Sequence, residues 1–196
     1  MLTEKGQTLM ELTVVLAVAV LVVGALTFAT IASIRNASFA KNQAQATKLA
    51  QEAIERVRIG RDRNQCIRGL GTNINSWNGS TDCPAPNGSI WNYRISGDCD
   101  KPDVSTYCYF NVSSQGALQN IGSSQNFPSS AAEGIPPRPD TPIFERVITL
   151  SDDLDGNKIF DDIYSSAKKV TAIVRWTDFS GKHESRLTTI LRNPNL

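Results

Sequence analysis

The hydrophobic pattern of this chain changes three times along its length, and each change marks a different kind of element. From Leu12 to Ile34 the stretch LTVVLAVAVLVVGALTFATIASI carries no charge and is apolar on every side rather than on one face. About 23 residues at 1.5 Å per residue cover a hydrocarbon core of about 30 Å, so the run predicts a membrane-spanning helix. A cleavable secretory signal has an apolar core of about 7 to 15 residues followed by a small-residue cut site. Here the run is longer, and its A-x-A at Ala17 and Ala19 falls in mid-run, where no extended substrate is offered.

From Arg35 to Ile59 the sequence RNASFAKNQAQATKLAQEAIERVRI has neither proline nor glycine and is rich in strong helix formers. Ala46, Leu49, Ala50, Ala53, Ile54 and Val57 recur at three- and four-residue spacing, which predicts one apolar stripe. The charges around it are mixed rather than basic, which favours docking on a sheet over lying on lipid. Gly60 is the expected helix stop.

Beyond it the pattern loses period. Residues 61–142 are dense in Gly, Ser, Asn and Pro and hold all four cysteines, which predicts a loop-rich insert. Within it Ile90–Ile95 and Val104–Val112 alternate enough to be strands, and GALQNIGSSQNFPSSAAEGIPPRPDTP reads as a connector without assigned structure. Period two returns in residues 143–196: Ile143–Leu150, Lys169–Trp176 and Glu184–Leu191 are the expected strands, with DFSGKH as the last turn. The fold class is therefore α+β, a long N-terminal transmembrane and amphipathic helix packed on a small C-terminal antiparallel β-sheet.

Lys5 ahead of the apolar run places the amino terminus in the cytoplasm and the body outside the cytoplasmic membrane. Cys66, Cys83, Cys99 and Cys108 agree with an oxidising compartment: the number is even, and no C-x-x-C occurs. Sequence-local pairing, Cys66 with Cys83 and Cys99 with Cys108, is the expected one of three connectivities.

One residue is out of keeping with the run that follows it. Glu11 stands at its mouth, where a carboxylate in lipid is costly. The stretch Gly6-Gln7-Thr8-Leu9-Met10-Glu11-Leu12, followed directly by the apolar run, resembles the cleavage and methylation site of type IV pilins and of type II secretion pseudopilins. That resemblance implies a leader of residues 1–6, cleavage by a prepilin peptidase after Gly6, an N-methylated mature terminus at Gln7, and Glu11 as the glutamate that pairs with a terminal amine during assembly. It implies residues 7–34 as the transmembrane half of the helix and 35–60 as its amphipathic extension, in a pilin-like fold. Gln7 stands where the family usually has phenylalanine, and the run has no proline, which directs the resemblance to minor subunits. The segment AQATKLAQEAIERVR is similar to the alanine-rich helix of minor pilins. The implied partners are other pilin or pseudopilin subunits, the peptidase/methyltransferase, and membrane lipid before assembly.

Enzyme chemistry finds little footing. His183 lies in GKHES with no nucleophile motif nearby and reads as a solvated turn residue; no phosphate loop, dinucleotide fingerprint or HExxH occurs. Twenty Lys and Arg nearly balance nineteen Asp and Glu, so no specific nucleic-acid partner is expected. Arg56, Arg58, Arg61 and Arg63 fit a solvated helix end, where cations suit the dipole. The segment SDDLDGNKIFDD offers alternating oxygens for calcium at Asp153, Asp155, Asn157 and Asp161. In an EF-hand frame on Gly156, Asp153, Asp155 and Asp162 fall in place, but Ser151 and Lys158 do not, and a plain acidic turn is the simpler reading. The sequons at Asn78, Asn87 and Asn111 are short enough to arise by chance.

The expectation is a structural subunit, minor-pilin-like, of a type IV pilus or related filament. The alternatives are a minor pseudopilin of a secretion or DNA-uptake system, and a single-pass anchored calcium-binding or adhesion domain.

Overall fold

The computed structural model describes residues 4–63, 67–68, 106–135, 144–157 and 166–193. Expectations that rest on Cys66, Cys83, Cys99, Ile90–Ile95, Asn78, Asn87, Asp161 and Asp162 lie outside those residues. Helix α1 runs unbroken over Glu4–Asp62, 59 residues. Among the described residues seven strands follow: β1 Ile67–Arg68, β2 Tyr107–Val112, β3 Leu118–Ser124, β4 Glu133–Ile135, β5 Phe144–Ser151, β6 Ala167–Asp178 and β7 Gly181–Arg192. The fold is α+β, a long N-terminal helix packed on an antiparallel sheet, as expected. By contacts the chain divides into two compact units, residues 1–42 and 43–196.

The first unit is the apolar part of α1. Its large side chains are exposed all round, from Leu9 at 66 % through Leu21 at 73 % to Phe28 at 77 %. The polar atoms within the run are handled locally. Thr13 donates its hydroxyl to the Met10 carbonyl, Thr27 to that of Val23 and Thr30 to that of Leu26, each at 2.8 Å. Such back-bonding satisfies the hydroxyls inside the helix, which is what a medium without hydrogen-bonding partners requires. This helix is long and apolar enough to cross a membrane.

In the second unit the stripe meets its sheet. Ala46, Ala50, Ala53, Ile54 and Val57 are buried, and Leu49 packs against the same cluster. Three alanines in that stripe bring the helix backbone close, and large residues from the strands fill the remaining space: Phe110, Ile148, Leu150, Val174 and Trp176. The sheet order is β1-β3-β2-β5-β6-β7, with β4 taking the remainder of the β5 edge that β2 leaves open. All pairings are antiparallel except β1 with β3. Side chains alternate between the faces, so Phe144, Arg146, Ile148 and Leu150 of β5 face the helix and Glu145, Val147, Thr149 and Ser151 face outward.

Two sequence expectations change. The segment read as an unstructured connector holds β3 and β4. Its apolar content is thin, but β2 offers a ready partner: Tyr107↔Ser124 through Val112↔Leu118 pair across a bulge at Tyr109/Phe110. Tertiary pairing supplies the order that the pattern lacks. The second change concerns Gly60, which does not end the helix; α1 continues to Asp62, and the Arg63 amide still bonds to the Ile59 carbonyl at 3.0 Å. Gly60 instead lies against Gly116, which turns the β2–β3 hairpin at φ 88°. A Cβ at Gly60 would stand 2.1 Å from the Gly116 oxygen, and one at Gly116 would stand 2.4 Å from the Arg56 oxygen. Two backbones touch there, and neither can give.

Gly60→Ala is therefore expected to destabilise the folded chain by about 1–3 kcal/mol, the range for forced overpacking, although alanine has the better helix propensity. Gly134→Ala, where nothing lies within 4 Å of the added carbon, should stay within about 0.5 kcal/mol. Thermal unfolding of both variants, followed by circular dichroism in one detergent, compares them.

Candidate functional site

The outer face of the sheet is built by alternation on four strands. Register places Tyr109, Thr149, Thr171 and Thr188 in one row across β2, β5, β6 and β7. One step along lie Ser151 and Lys169; in the other direction come Val147, Ile173 and Arg186, then Glu145, Arg175 and Glu184, and at the end Thr177 and Lys182. Thr171 and Thr188 share a hydrogen bond at 3.0 Å. The face is hollowed into a groove of about 500 Å³ by the segment carrying Gln125, Asn126 and Phe127, and a neighbouring hollow of about 490 Å³ shares Ser129, Arg175 and Lys182 with it. A small second core of Tyr109, Phe127, Val147 and Ile173 floors the middle.

Its electrostatics are uneven. Arg175 lies 4.1 Å above the Phe127 ring and bonds Glu184 at 2.5 Å, and Arg186 bonds the same carboxylate. Burial pushes the Glu184 carboxyl up, but the bonds and charges of Arg186 and Arg175 outweigh it and hold the group below the ordinary range. Burial raises the Tyr109 phenol against the opposing pull of Arg175 and Arg186. Lys169 donates to the Asp153 carbonyl at 2.7 Å. The sequence signal for this face was present in KKVTAIVRW and KHESRLTTIL as cations and hydroxyls at alternate positions, interrupted by Ile173, Glu184 and Ile190, but only register shows that the rows align.

Two ionic groups hold the opposite face. Arg146 is 2 % exposed and grips Glu133 with two bonds of 2.9 Å, while its third nitrogen donates to the Leu49 carbonyl of the helix at 3.2 Å. Lys168 and Asp152, both fully buried, meet at 2.5 Å. Both cations occupy core-facing positions of otherwise apolar strands, and that parity was the available clue. The expected arginine cluster is engaged in part: Arg56 pairs with Glu52, Arg58 with Glu55 and Arg61 with Asp62.

His183 is not a solvated turn residue but belongs to β7, stacked on Trp176 with ring centres 5.3 Å apart. Its Nε2 approaches both the Ser180 hydroxyl and Asp178 Oδ1 at 2.9 Å. A hydrolytic relay needs the acid and the serine on different ring nitrogens. Here both use one, so these groups close the hairpin. The Ser180 hydroxyl, with the Ser180 amide and His183, keeps the Asp178 carboxyl below its usual range despite the opposing effect of burial.

The acidic segment forms a tight turn on itself. Asp153 accepts the Gly156 amide at 2.7 Å, Asp155 accepts the Asn157 amide at 3.0 Å, and the Asn157 side chain donates to Asp155 at 2.7 Å. Among the described residues no three His, Cys, Asp or Glu side chains gather as a metal cluster. Cys108 on β2 is disulfide-bonded. Gly6, Gln7 and Glu11 all lie on the first turns of α1, far along the chain from the groove residues.

Asp152→Ala leaves the Lys168 ammonium buried without this carboxylate and should cost about 3–5 kcal/mol, whereas the double variant Asp152→Leu/Lys168→Met should recover most of it; urea unfolding of the parent and the two variants compares them. The lowered Glu184 carboxyl stabilises the fold above the ordinary glutamate pKa of about 4.3, and that contribution fades as pH falls through its folded value. Since Glu184 is 23 % exposed, the effect should be under about 1 kcal/mol. Thermal scans between pH 3 and 7, roughly spanning that window, should show a shallower acid loss in Glu184→Gln.

Comparison of the chain with known protein families, with curated proteins and with solved structures finds no match, so its role is argued from the residues themselves.

Proposed function

We propose that this chain is a filament subunit of the type IV pilin kind, a minor pilin or minor pseudopilin, held in the cytoplasmic membrane until it assembles. The observation that carries the reading is the first part of α1. Its large apolar side chains from Leu9 to Ile34 are exposed, while its threonine hydroxyls are satisfied by their own helix. An apolar surface that extensive needs lipid or other helices around it. Transfer from lipid to a helix bundle exchanges one apolar medium for another, so the selective term in assembly is close packing and polar pairing, not bulk hydrophobic gain.

Glu11 supplies the polar pairing. After removal of residues 1–6 the chain begins at Gln7, whose α-ammonium is an opposite charge for a carboxylate on its own or a neighbouring helix. In a low-dielectric bundle a charge left alone is far costlier than a matched pair. The stripe of the second unit is already occupied by its own sheet, so the apolar surface left for partners is that of Leu9–Ile34.

Mass spectrometry of the protein from its native membrane is expected to give an N-terminal peptide beginning at Gln7, with a methyl group on the amine. Glu11→Ala should be cleaved at the same bond yet recovered in sheared filaments at a level at least about tenfold lower, a loss of about 1.4 kcal/mol per subunit. A chain that starts at Met1 in the membrane, or full incorporation of the variant, would refute the assignment.

A further inference from the structure

The outer sheet face is not used by the filament reading, and its chemistry suggests a ligand of its own. We propose that the groove across β6 and β7 binds an extended acidic polysaccharide. Three features carry this: the spacing of its cations, the hydroxyl row between them, and the fate of its carboxylates.

Lys169 and Lys182 mark the two ends. Lys182 pairs in register with Thr177, eight residues along β6 from Lys169, which at 3.3 Å per residue separates the ends by about 26 Å. Between them Arg175 and Arg186 share one carboxylate, Glu184, and Glu145 lies beside Arg175, so the centre is close to charge-balanced and the ends carry the cations that a polyanion would seek. A small anion reaches one of these stations; a chain carrying a carboxylate on each unit reaches all of them. The other acids nearby are Asp153, which is buried and turned onto the Gly156 amide, and Glu145, half-buried beside Arg175.

The hydroxyls decide the body of the ligand. Thr149, Thr171 and Thr188 line the groove in a single row, and hydroxyls both donate and accept, as a polyol demands. Nucleic acid would need exposed rings on which bases stack. Here Tyr109 and Phe127 are buried in the floor and Tyr107, at 38 % exposure, is the one open ring among the described lining residues.

The test uses the full chain in uncharged detergent micelles and measures binding of oligogalacturonate, neutral dextran and oligo-dT by fluorescence titration at low salt. Oligogalacturonate should bind, weaken as salt rises, and exceed both other probes by at least about tenfold, one decade being 1.4 kcal/mol. Lys169→Gln/Lys182→Gln should weaken it by about tenfold, the scale of one half-buried and one exposed cation. Glu184→Gln frees both arginines and should strengthen it. Unaltered far-ultraviolet circular dichroism and a cooperative melting transition at neutral pH will establish that the fold is kept in each variant, Glu184→Gln losing only the small stabilisation that its carboxylate contributes there. Failure of oligogalacturonate to bind, equal binding of dextran, preference for oligo-dT, or indifference to the charge variants would each overturn the proposal without touching the N-terminal processing on which the filament reading stands.

Discussion

The contact between the alanine stripe of α1 and the inner face of the sheet is the constraint on which the second unit depends. Ala46, Ala50 and Ala53 have almost no side chain to interpose, so the helix backbone rides close to the strands, and Gly60 against Gly116 is the extreme of that approach. Close packing of this kind brings gain only if every facing position matches, because interiors leave little free volume. That is why large residues, Phe110 and Trp176 among them, come from the sheet while small ones come from the helix.

Polar anchoring completes what packing alone leaves loose. A helix with a small-residue face can slide along a sheet at little cost, since alanines offer few interlocking shapes. Arg146 opposes this: it joins the Leu49 carbonyl on the helix to Glu133 on β4 from within β5, and Arg56 approaches the same glutamate at 3.6 Å. A buried guanidinium is costly unless its donors are met, so it favours one arrangement over its neighbours. At the helix end, Arg61 donates to the Arg192 carbonyl of β7 at 3.2 Å.

The two faces of the sheet thus divide the labour. Inward positions hold the helix; outward positions are free of that duty and carry hydroxyls, cations and a shared carboxylate. Changes on the outer face leave the packing of the helix on the inner face undisturbed.

Much of this was legible in the sequence, because the strongest determinants are local and periodic. The uncharged run of Leu12–Ile34, the stripe of Ala46 to Val57 and the three strands of the C-terminal third each repeat a pattern that a single element must obey. The Asp153–Asn157 turn also closes through neighbours. What the tertiary structure alone decided are the relations between distant segments: β3 and β4 become strands because β2 and β5 present open edges, Gly60 serves a contact with Gly116 rather than a helix end, and Arg146 and Lys168 sit in the core because Glu133 and Asp152 reach them there. The groove belongs to the same class. Its rows exist only through cross-strand register, which depends on how many residues each turn consumes and on which face the helix covers, and no periodicity within one strand records either.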